Sequence, residues 1–348
     1  MQASAEFAQS EAIYGWGLAA FFLGATAGSV VFGRLAQRVG PRTQVAGALI
    51  VSGATSVFIA ASAQSFLLFV AALSVAGLAN SANQSAINLL LSQAQLPRLG
   101  LAIALKQSGM PGASLLGGLA VPLIAVTVGW RWAYVVAAVM TMLALLAVWR
   151  FTESIDRPEQ TVSQLGTDRN RLFVASTGFA CTAFAAGALN AWTVSSGVES
   201  GLTPGQAGLL LSLGASFGIA VRLLIGVRLD SMSVNPLTAA ARLTAIGALG
   251  VGFLSLQRVS PVIGATVVAF GCGWVWPVFT NFAVVNANRD AAAAATGITQ
   301  TGVYIGVFSG PLLSGVLIET FGYSTMWLVT SAVMAVGAFI TGSLARHF

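Results

Sequence analysis

The sequence predicts an all-α protein that crosses a membrane many times. Hydrophobic residues make up 56% of the chain and charged residues only 7%, whereas about a quarter of the residues in a soluble domain are charged. Several uncharged apolar runs reach the roughly 20 residues that a helix needs to cross a bilayer core about 30 Å thick. Backbone groups in lipid must bond within their own segment, so long apolar runs without alternation favour helices.

Eleven helices are predicted. They cover residues 12–33, 44–63, 66–92, 100–127, 131–151, 172–194, 205–228, 237–256, 260–286, 292–317 and 324–345. A long polar connection, residues 152–170, separates five helices in residues 1–151 from six in residues 171–348. Most arginines fall in loops on one side, which the positive-inside rule places in the cytoplasm. The net charge of +6 therefore reflects membrane orientation, and it does not indicate nucleic-acid binding.

The second half repeats the first at an offset of 193 residues. This offset pairs Gly15 with Gly208, Gly33 with Gly226, Gln107 with Gln300, Gly117 with Gly310, and Gly129 with Gly322. Parallel repeats of this kind build the halves of transporters. The helix 172–194 has no counterpart in the first half, so that half lacks its first helix. Either the sequence is truncated or the protein works with eleven spans.

The stretch from Gly33 to Arg42, GRLAQRVGPR, is predicted to be a short cytoplasmic loop. It resembles the loop signature of the major facilitator superfamily, G-x-L-a-D-r-x-G-r-r, and Gly226 to Asp230 resembles the second copy of that signature. The resemblance covers essentially the whole chain and implies two helical bundles that transport a solute by alternating access. The gating-loop residues that it implies are Gly33, Arg34, Arg38, Gly40, Arg42, Gly226 and Asp230.

The chain departs from the family pattern at two positions. Gln37 stands where the family has an aspartate, and Ser231 replaces the arginine after Asp230. A gating salt bridge on this loop is therefore in doubt in the first half.

Small residues at i+4 spacing form four stripes along the predicted helices. The stripes are Ala20, Gly24 and Gly28; Gly109, Ala113 and Gly117; Gly214 and Gly218; and Gly302, Gly306, Gly310 and Ser314. Such stripes let helices approach closely in lipid. The resemblance implies that they form the two contacts on which the halves rock.

Two basic residues are predicted to lie inside the membrane. Lys106, the only lysine, lies about 9 Å into its helix, and Arg222 lies about 6 Å in from the same face. An intramembrane charge costs on the order of 3 kcal/mol or more without a partner or water, and the predicted helices contain no acidic residue. Two such cations beside a cavity attract an anion; the alternative is that both side chains snorkel to the surface.

Polar side chains inside the spans predict a lined pocket. Asn80, Gln84 and Asn88 share one helix face, which can hardly point at hydrocarbon. Amides either bind a cargo carboxylate or bond one another between helices. By resemblance, Gln107 and Gln300 lie on cavity-lining helices, and Arg222 corresponds to the substrate arginine of monocarboxylate carriers. The predicted substrate-binding residues are Lys106, Arg222, Asn80, Gln84, Gln107, Asn281, Gln300 and Tyr304.

The sequence therefore predicts a secondary transporter of a small organic anion such as a monocarboxylate. The alternatives are an exporter of hydrophobic drug-like compounds and a non-transporting sensor with the same fold. The chain has no ATP-binding G-x-x-x-x-G-K-[ST] motif, and no cofactor, metal or catalytic residue is predicted. Whether transport is coupled to a proton or another ion stays open, because the sequence shows no buried carboxylate. Arginine-rich composition without a cleavable signal favours a bacterial cytoplasmic membrane.

Overall fold

The computed structural model describes residues 6–7, 11–62, 65–93, 98–151, 166–288 and 292–348, and within these ranges it contains helices and no strand. The helices are α1 (Glu11–Val39), α2 (Pro41–Ser62), α3 (Phe66–Gln93), α4 (Leu99–Gln107), α5 (Gly109–Ala120), α6 (Arg131–Phe151), α7 (Arg169–Glu199), α8 (Pro204–Leu229), α9 (Pro236–Phe253), α10 (Val259–Gly271), α11 (Trp276–Ala287) and α12 (Ala292–Ser343). A π-helical turn, Val121–Ala125, continues α5, and a 3₁₀ turn, Leu254–Leu256, continues α9. Residues 152–165 of the predicted linker lie outside the described ranges.

Nine helical segments of the described residues are long and apolar enough to cross a membrane. One of them, Ala295–Ser343, contains two helices, because the backbone leaves helical geometry at Gly322, with φ 79° and ψ 174°. The 193-residue offset pairs Gly322 with Gly129, where φ is 103°. Glycine adopts positive φ at little cost, so the two halves turn at corresponding points. The total of eleven spans stays a prediction.

The predicted loop from Gly33 to Arg42 is wrong in extent. Helix α1 continues to Val39, and only Gly40 separates it from α2. Leucine, alanine, glutamine and arginine in this stretch are strong helix formers, and Arg38 in the last turn complements the helix dipole. Gly40 ends the helix with φ 87°, and Pro41 is the first residue of α2.

Two of the predicted spans are interrupted. The span 100–127 divides into α4 and α5 at Ser108, and the span 260–286 divides into α10 and α11 between residues 272 and 275. Each interruption lies just before a proline, Pro111 or Pro277. Proline has no N–H for the carbonyl four residues earlier and its ring clashes there, so each proline disrupts the helical hydrogen bonding before it.

Three of the four glycine stripes pack helices together within a half, not across the halves as predicted, whereas in the fourth a Cβ atom added at Gly109 or Gly117 would meet no atom within 4 Å. A Cβ atom added at Gly306 would lie 2.1 Å from the Ala180 carbonyl oxygen of α7, and one added at Gly24 would lie 2.1 Å from the Ser74 carbonyl oxygen of α3. Gly214 faces Phe270 of α10. Sequence spacing shows which residues share a helix face, but it does not show which neighbour that face meets.

The predicted helix pairs do meet across the halves: α1 packs on α12, and α4 and α5 pack on α8. Other glycines make the close approach between α8 and the first half. A Cβ atom at Gly226 would lie 2.4 Å from that of Ala104, and one at Gly208 would lie 2.7 Å from the Gly118 carbonyl oxygen. Helix α8 is therefore in backbone contact with the first half near both of its ends.

Candidate functional site

A cavity of about 890 Å³ lies between the two halves. Its wall combines residues of the first-half helices α1, α3, α4, α5 and α6 with residues of α7, α8, α11 and α12 and of the interruption before α11. The aromatic residues of the wall are Phe21, Phe22, Phe69, Tyr134, Phe179, Trp192, Trp274, Trp276 and Tyr304. A cavity of this size with apolar walls and a few polar groups is typical of a small-molecule site.

All eight residues predicted to bind substrate line this cavity: Lys106, Arg222, Asn80, Gln84, Gln107, Asn281, Gln300 and Tyr304. The wall also contains Asn83, Ser114 and Asn190, which are not among the predicted substrate-binding residues. Asn83 is three residues from Asn80 and so lies on the same face of α3. This spacing in the sequence could have identified Asn83 as a lining residue. Asn190 is the single amide in the apolar span 172–194, and a polar residue inside a span is itself a functional signal.

Lys106 and Arg222 are the only charged residues among the described residues that line the cavity, and no acidic residue accompanies them. Lys106 lies in the last turn of α4, where the helix dipole favours a positive charge. Within the described part of the chain it forms neither a hydrogen bond nor an ion pair. Its ammonium group is therefore available to a bound anion.

Arg222 is buried, with 2% of its surface exposed, so it does not snorkel to the membrane surface. One Nη atom donates to the Gln107 carbonyl oxygen at 2.5 Å, and the other donates to the Trp274 carbonyl oxygen. The guanidinium carbon lies 5.4 Å from the centre of the Trp274 ring, within the range of a cation–π contact. The Arg222 guanidinium is thus bonded to the residue that follows Lys106 directly on α4, and both basic side chains line the cavity.

The amide side chains bond to main-chain carbonyls and to a serine hydroxyl, and two of these bonds, Gln107 to Pro277 and Ser114 to Asn190, join the two halves. The Asn281 Nδ2 atom donates to the Pro277 carbonyl oxygen at 2.9 Å, and the Gln107 Nε2 atom donates to the same oxygen at 3.4 Å. The Ser114 hydroxyl donates to the Asn190 Oδ1 atom at 2.5 Å, which joins α5 to α7. These bonds support the alternative that amides bond other helices, but each amide keeps further hydrogen-bonding capacity.

Four polar atoms of the cavity-lining residues are buried and have no hydrogen-bond partner among the described residues: the Arg222 Nε atom and three others. The three others are Asn83 Oδ1, Gln84 Oε1 and Trp276 Nε1. Leaving a buried donor or acceptor unpaired costs about 1 to 3 kcal/mol. A bound cargo molecule could supply the missing hydrogen-bond partners, either directly or by causing the side chains to rearrange.

The predicted gating residues lie at the arginine-rich end of the bundle. The backbones of Gly33 and Arg34 belong to α1, but their side chains lie outside the described part. Arg38 is exposed, and the Arg42 guanidinium donates to the Trp149 carbonyl oxygen at 2.9 Å. None of these contacts joins the two halves, so a gating role for this copy stays a prediction.

The second copy does contact the other half. Both carboxylate oxygens of Asp230 accept from the Gly100 backbone N–H, at 3.2 and 3.1 Å. Gly226, one turn earlier on α8, packs against Gly100 and Ala104. The carboxylate therefore lies at the N-terminus of α4, where the helix dipole favours a negative charge.

We expect Asp230→Asn to loosen the α4 terminus, because the amide keeps an acceptor but loses the charge that interacts with the helix dipole. The hydrogen exchange of backbone amides in residues 98–107, followed by mass spectrometry, should become about two- to fivefold faster. Ser231→Ala is the matched control, since the Ser231 hydroxyl donates only to the Arg228 carbonyl oxygen of its own helix end. Equal exchange in both variants would contradict the contact.

Comparisons with known proteins agree with this architecture. A protein-family model described as the Major Facilitator Superfamily matches residues 2–310. Among solved structures, that of the human organic anion transporter MFSD10 (TETRAN) is similar, with a TM-score of 0.72 and 15% sequence identity. The match covers 94% of this chain and 83% of that one. No curated protein sequence matches significantly.

Proposed function

Because the chain belongs to the Major Facilitator Superfamily, we propose that it carries a small organic anion across the membrane by alternating access. That it is a multi-pass membrane transporter, and not an enzyme, follows from the family and the fold. The charge of the cargo is the proposed part. The MFSD10 structure is named as an organic anion transporter, which agrees with the proposal, although at 15% identity the likeness concerns the fold.

The observation that carries the proposal is the unbalanced positive charge of the cavity. Lys106 and Arg222 line it, and the described lining residues include no carboxylate. In a medium of low dielectric constant two cations that line one cavity repel each other, and a bound anion offsets that repulsion. A neutral or cationic cargo would leave both charges without compensation.

The aromatic residues of the wall restrict the cargo further. The Phe179 and Trp276 rings stack with their centres 5.9 Å apart and an interplanar angle of 29°, and both line the cavity. Flat apolar walls of this kind fit a hydrocarbon or aromatic skeleton. The proposed cargo is therefore a small carboxylate or related anion with an apolar body.

Transport into liposomes that contain the purified protein tests this proposal. The panel should contain small aliphatic and aromatic carboxylates and sulfonates, each paired with its uncharged amide, so that shape is matched and charge is not. We expect saturable uptake of at least one anion, without uptake of its paired amide. Uptake of the amides but not of the anions would favour the exporter of hydrophobic compounds instead.

The proposal also concerns whether transport of the anion is coupled to a proton or to another ion. The described lining residues contain no carboxylate that a proton could neutralise, whereas proton relays in transporters usually use buried acidic residues. Anion exchange or uniport therefore fits the described part of the chain better than proton coupling. Uptake measured with and without a pH gradient and an internal anion distinguishes these mechanisms.

A further inference from the structure

The Arg222 side chain forms a direct link between the two halves. It extends from α8 in the second half, and its two Nη atoms donate to the carbonyl oxygens of Gln107 in the first half and Trp274 in the second. No other guanidinium of the described residues is both buried and bonded across the halves in this way. The link crosses the cavity wall at the place where cargo is proposed to bind.

Both carbonyl groups lie at the two helix interruptions, where the regular helical hydrogen bonds are not made. In a regular helix the Gln107 carbonyl would accept from the N–H of residue 111, but Pro111 has none. The Trp274 carbonyl would accept from the Val278 N–H, which instead donates to the Val275 carbonyl oxygen at 3.1 Å, in the first turn of α11 next to Pro277. The two helix interruptions thus supply the acceptors that hold Arg222.

This arrangement does not neutralise the guanidinium. Carbonyl groups are dipoles without net charge, the described lining residues include no carboxylate, and the Arg222 Nε atom is buried without a partner. The bonds to the two carbonyls have a charge on the donor only, whereas a carboxylate adds the attraction of a full negative charge and often binds a guanidinium through two parallel hydrogen bonds. An anion that reaches Arg222 therefore competes favourably with the two carbonyl groups.

We propose that Arg222 ties the halves together in the absence of cargo, and that the anionic group of the cargo releases this tie by replacing the Gln107 and Trp274 carbonyls. The inference rests on the proposed anionic cargo. It assigns Arg222 a role in coupling as well as in binding: the side chain that captures the anion is also the side chain whose bond to Gln107 holds the first half. A ligand shifts a conformational equilibrium only through such a difference in contacts.

Distances between spin labels on the two halves test this inference. The labels are attached to cysteines introduced by Thr43→Cys on α2 and Ser231→Cys after α8, which are exposed positions in different halves. The two native cysteines, Cys181 and Cys272, are replaced by alanine so that only the introduced ones react. Without any anion, Arg222→Gln and Arg222→Lys should each change the ratio of distance populations by about tenfold. Lysine keeps the charge but lacks the planar fork that reaches both carbonyls.

Arg228→Gln is the matched control, because Arg228 is an exposed arginine on the same helix. This substitution should leave the distance populations unchanged. The anions of the uptake panel should shift the populations of the parent protein in the same direction as Arg222→Lys. Unchanged populations in both Arg222 variants would overturn the tie, whatever the uptake assay shows. A change in both variants without any response of the parent to the panel would support the tie and contradict the anionic cargo, so the two failures are distinguishable.

Discussion

Replacing Lys106 with glutamine is expected to reduce uptake of the transported anion by about ten- to a hundredfold in kcat/KM. The ammonium group lines the cavity and makes no bond to the described residues, so its charge is available to the cargo. A hydrogen bond to a charged group contributes about 1.5 to 3 kcal/mol, and each 1.4 kcal/mol corresponds to about a factor of ten. Lys106→Arg keeps the charge and should retain part of the activity.

The same substitution should not lower stability. An intramembrane charge without a partner costs on the order of 3 kcal/mol, so removing it should leave the thermal unfolding temperature in detergent equal or higher. Loss of uptake together with retained stability is typical of a residue that serves function at the expense of folding. Arg242→Gln is the control, because Arg242 is exposed on α9 and does not line the cavity. Full uptake by Lys106→Gln would remove Lys106 from the proposed site.

The location of the site could be predicted from the sequence because charge and amide groups are rare inside membrane spans. Lys106 and Arg222 stand in apolar runs without an acidic partner, and the cost of such charges indicates a cavity. Asn80 and Gln84 share one face of α3 by their spacing alone. The resemblance implied that the helices with small-residue stripes meet across the halves, and α1 does pack on α12 and α5 on α8.

The contacts of these residues could not be predicted in the same way. Arg222 binds two main-chain carbonyl oxygens, and main-chain acceptors are identical at every position of a sequence. Pro111 and Pro277 were the visible signals, because each removes a donor from its helix. Their consequence depends on which side chain of another helix reaches the freed carbonyl, and that is a property of tertiary packing.

The helix that each glycine stripe contacts could not be predicted from the sequence either. Gly302, Gly306 and Gly310 were correctly recognised as one face, but that face meets α7 of the same half. Close backbone approach occurs inside the halves at this stripe and between the halves at Gly208 and Gly226, so a small-residue stripe alone does not show which of the two it serves. The offset pairs Gly306 with Ala113, which lines the cavity, so repeat-related positions of the two halves have different surroundings.

Gly306→Ala is expected to destabilise the second half by about 1 to 3 kcal/mol or more, because the added methyl group forces α7 and α12 apart. Its Cβ atom would lie 2.1 Å from the Ala180 carbonyl oxygen and 2.8 Å from the Ala183 Cβ atom. Both are parts of the α7 helix with little freedom to move. Thermal unfolding of the purified protein in detergent, with recovery of monodisperse protein as a second measure, should show the loss.

Gly297→Ala provides the matched comparison on the same helix. No atom lies within 4 Å of the position that its Cβ would take, so the methyl group meets no neighbour. Alanine in a helix interior is favoured over glycine by about 0.5 to 1 kcal/mol, and we expect Gly297→Ala to be neutral or stabilising. Since both variants make the same chemical change in α12, the difference between them isolates the packing of that helix against α7. Equal unfolding temperatures would show that the close contact between α7 and α12 does not hold the second half together.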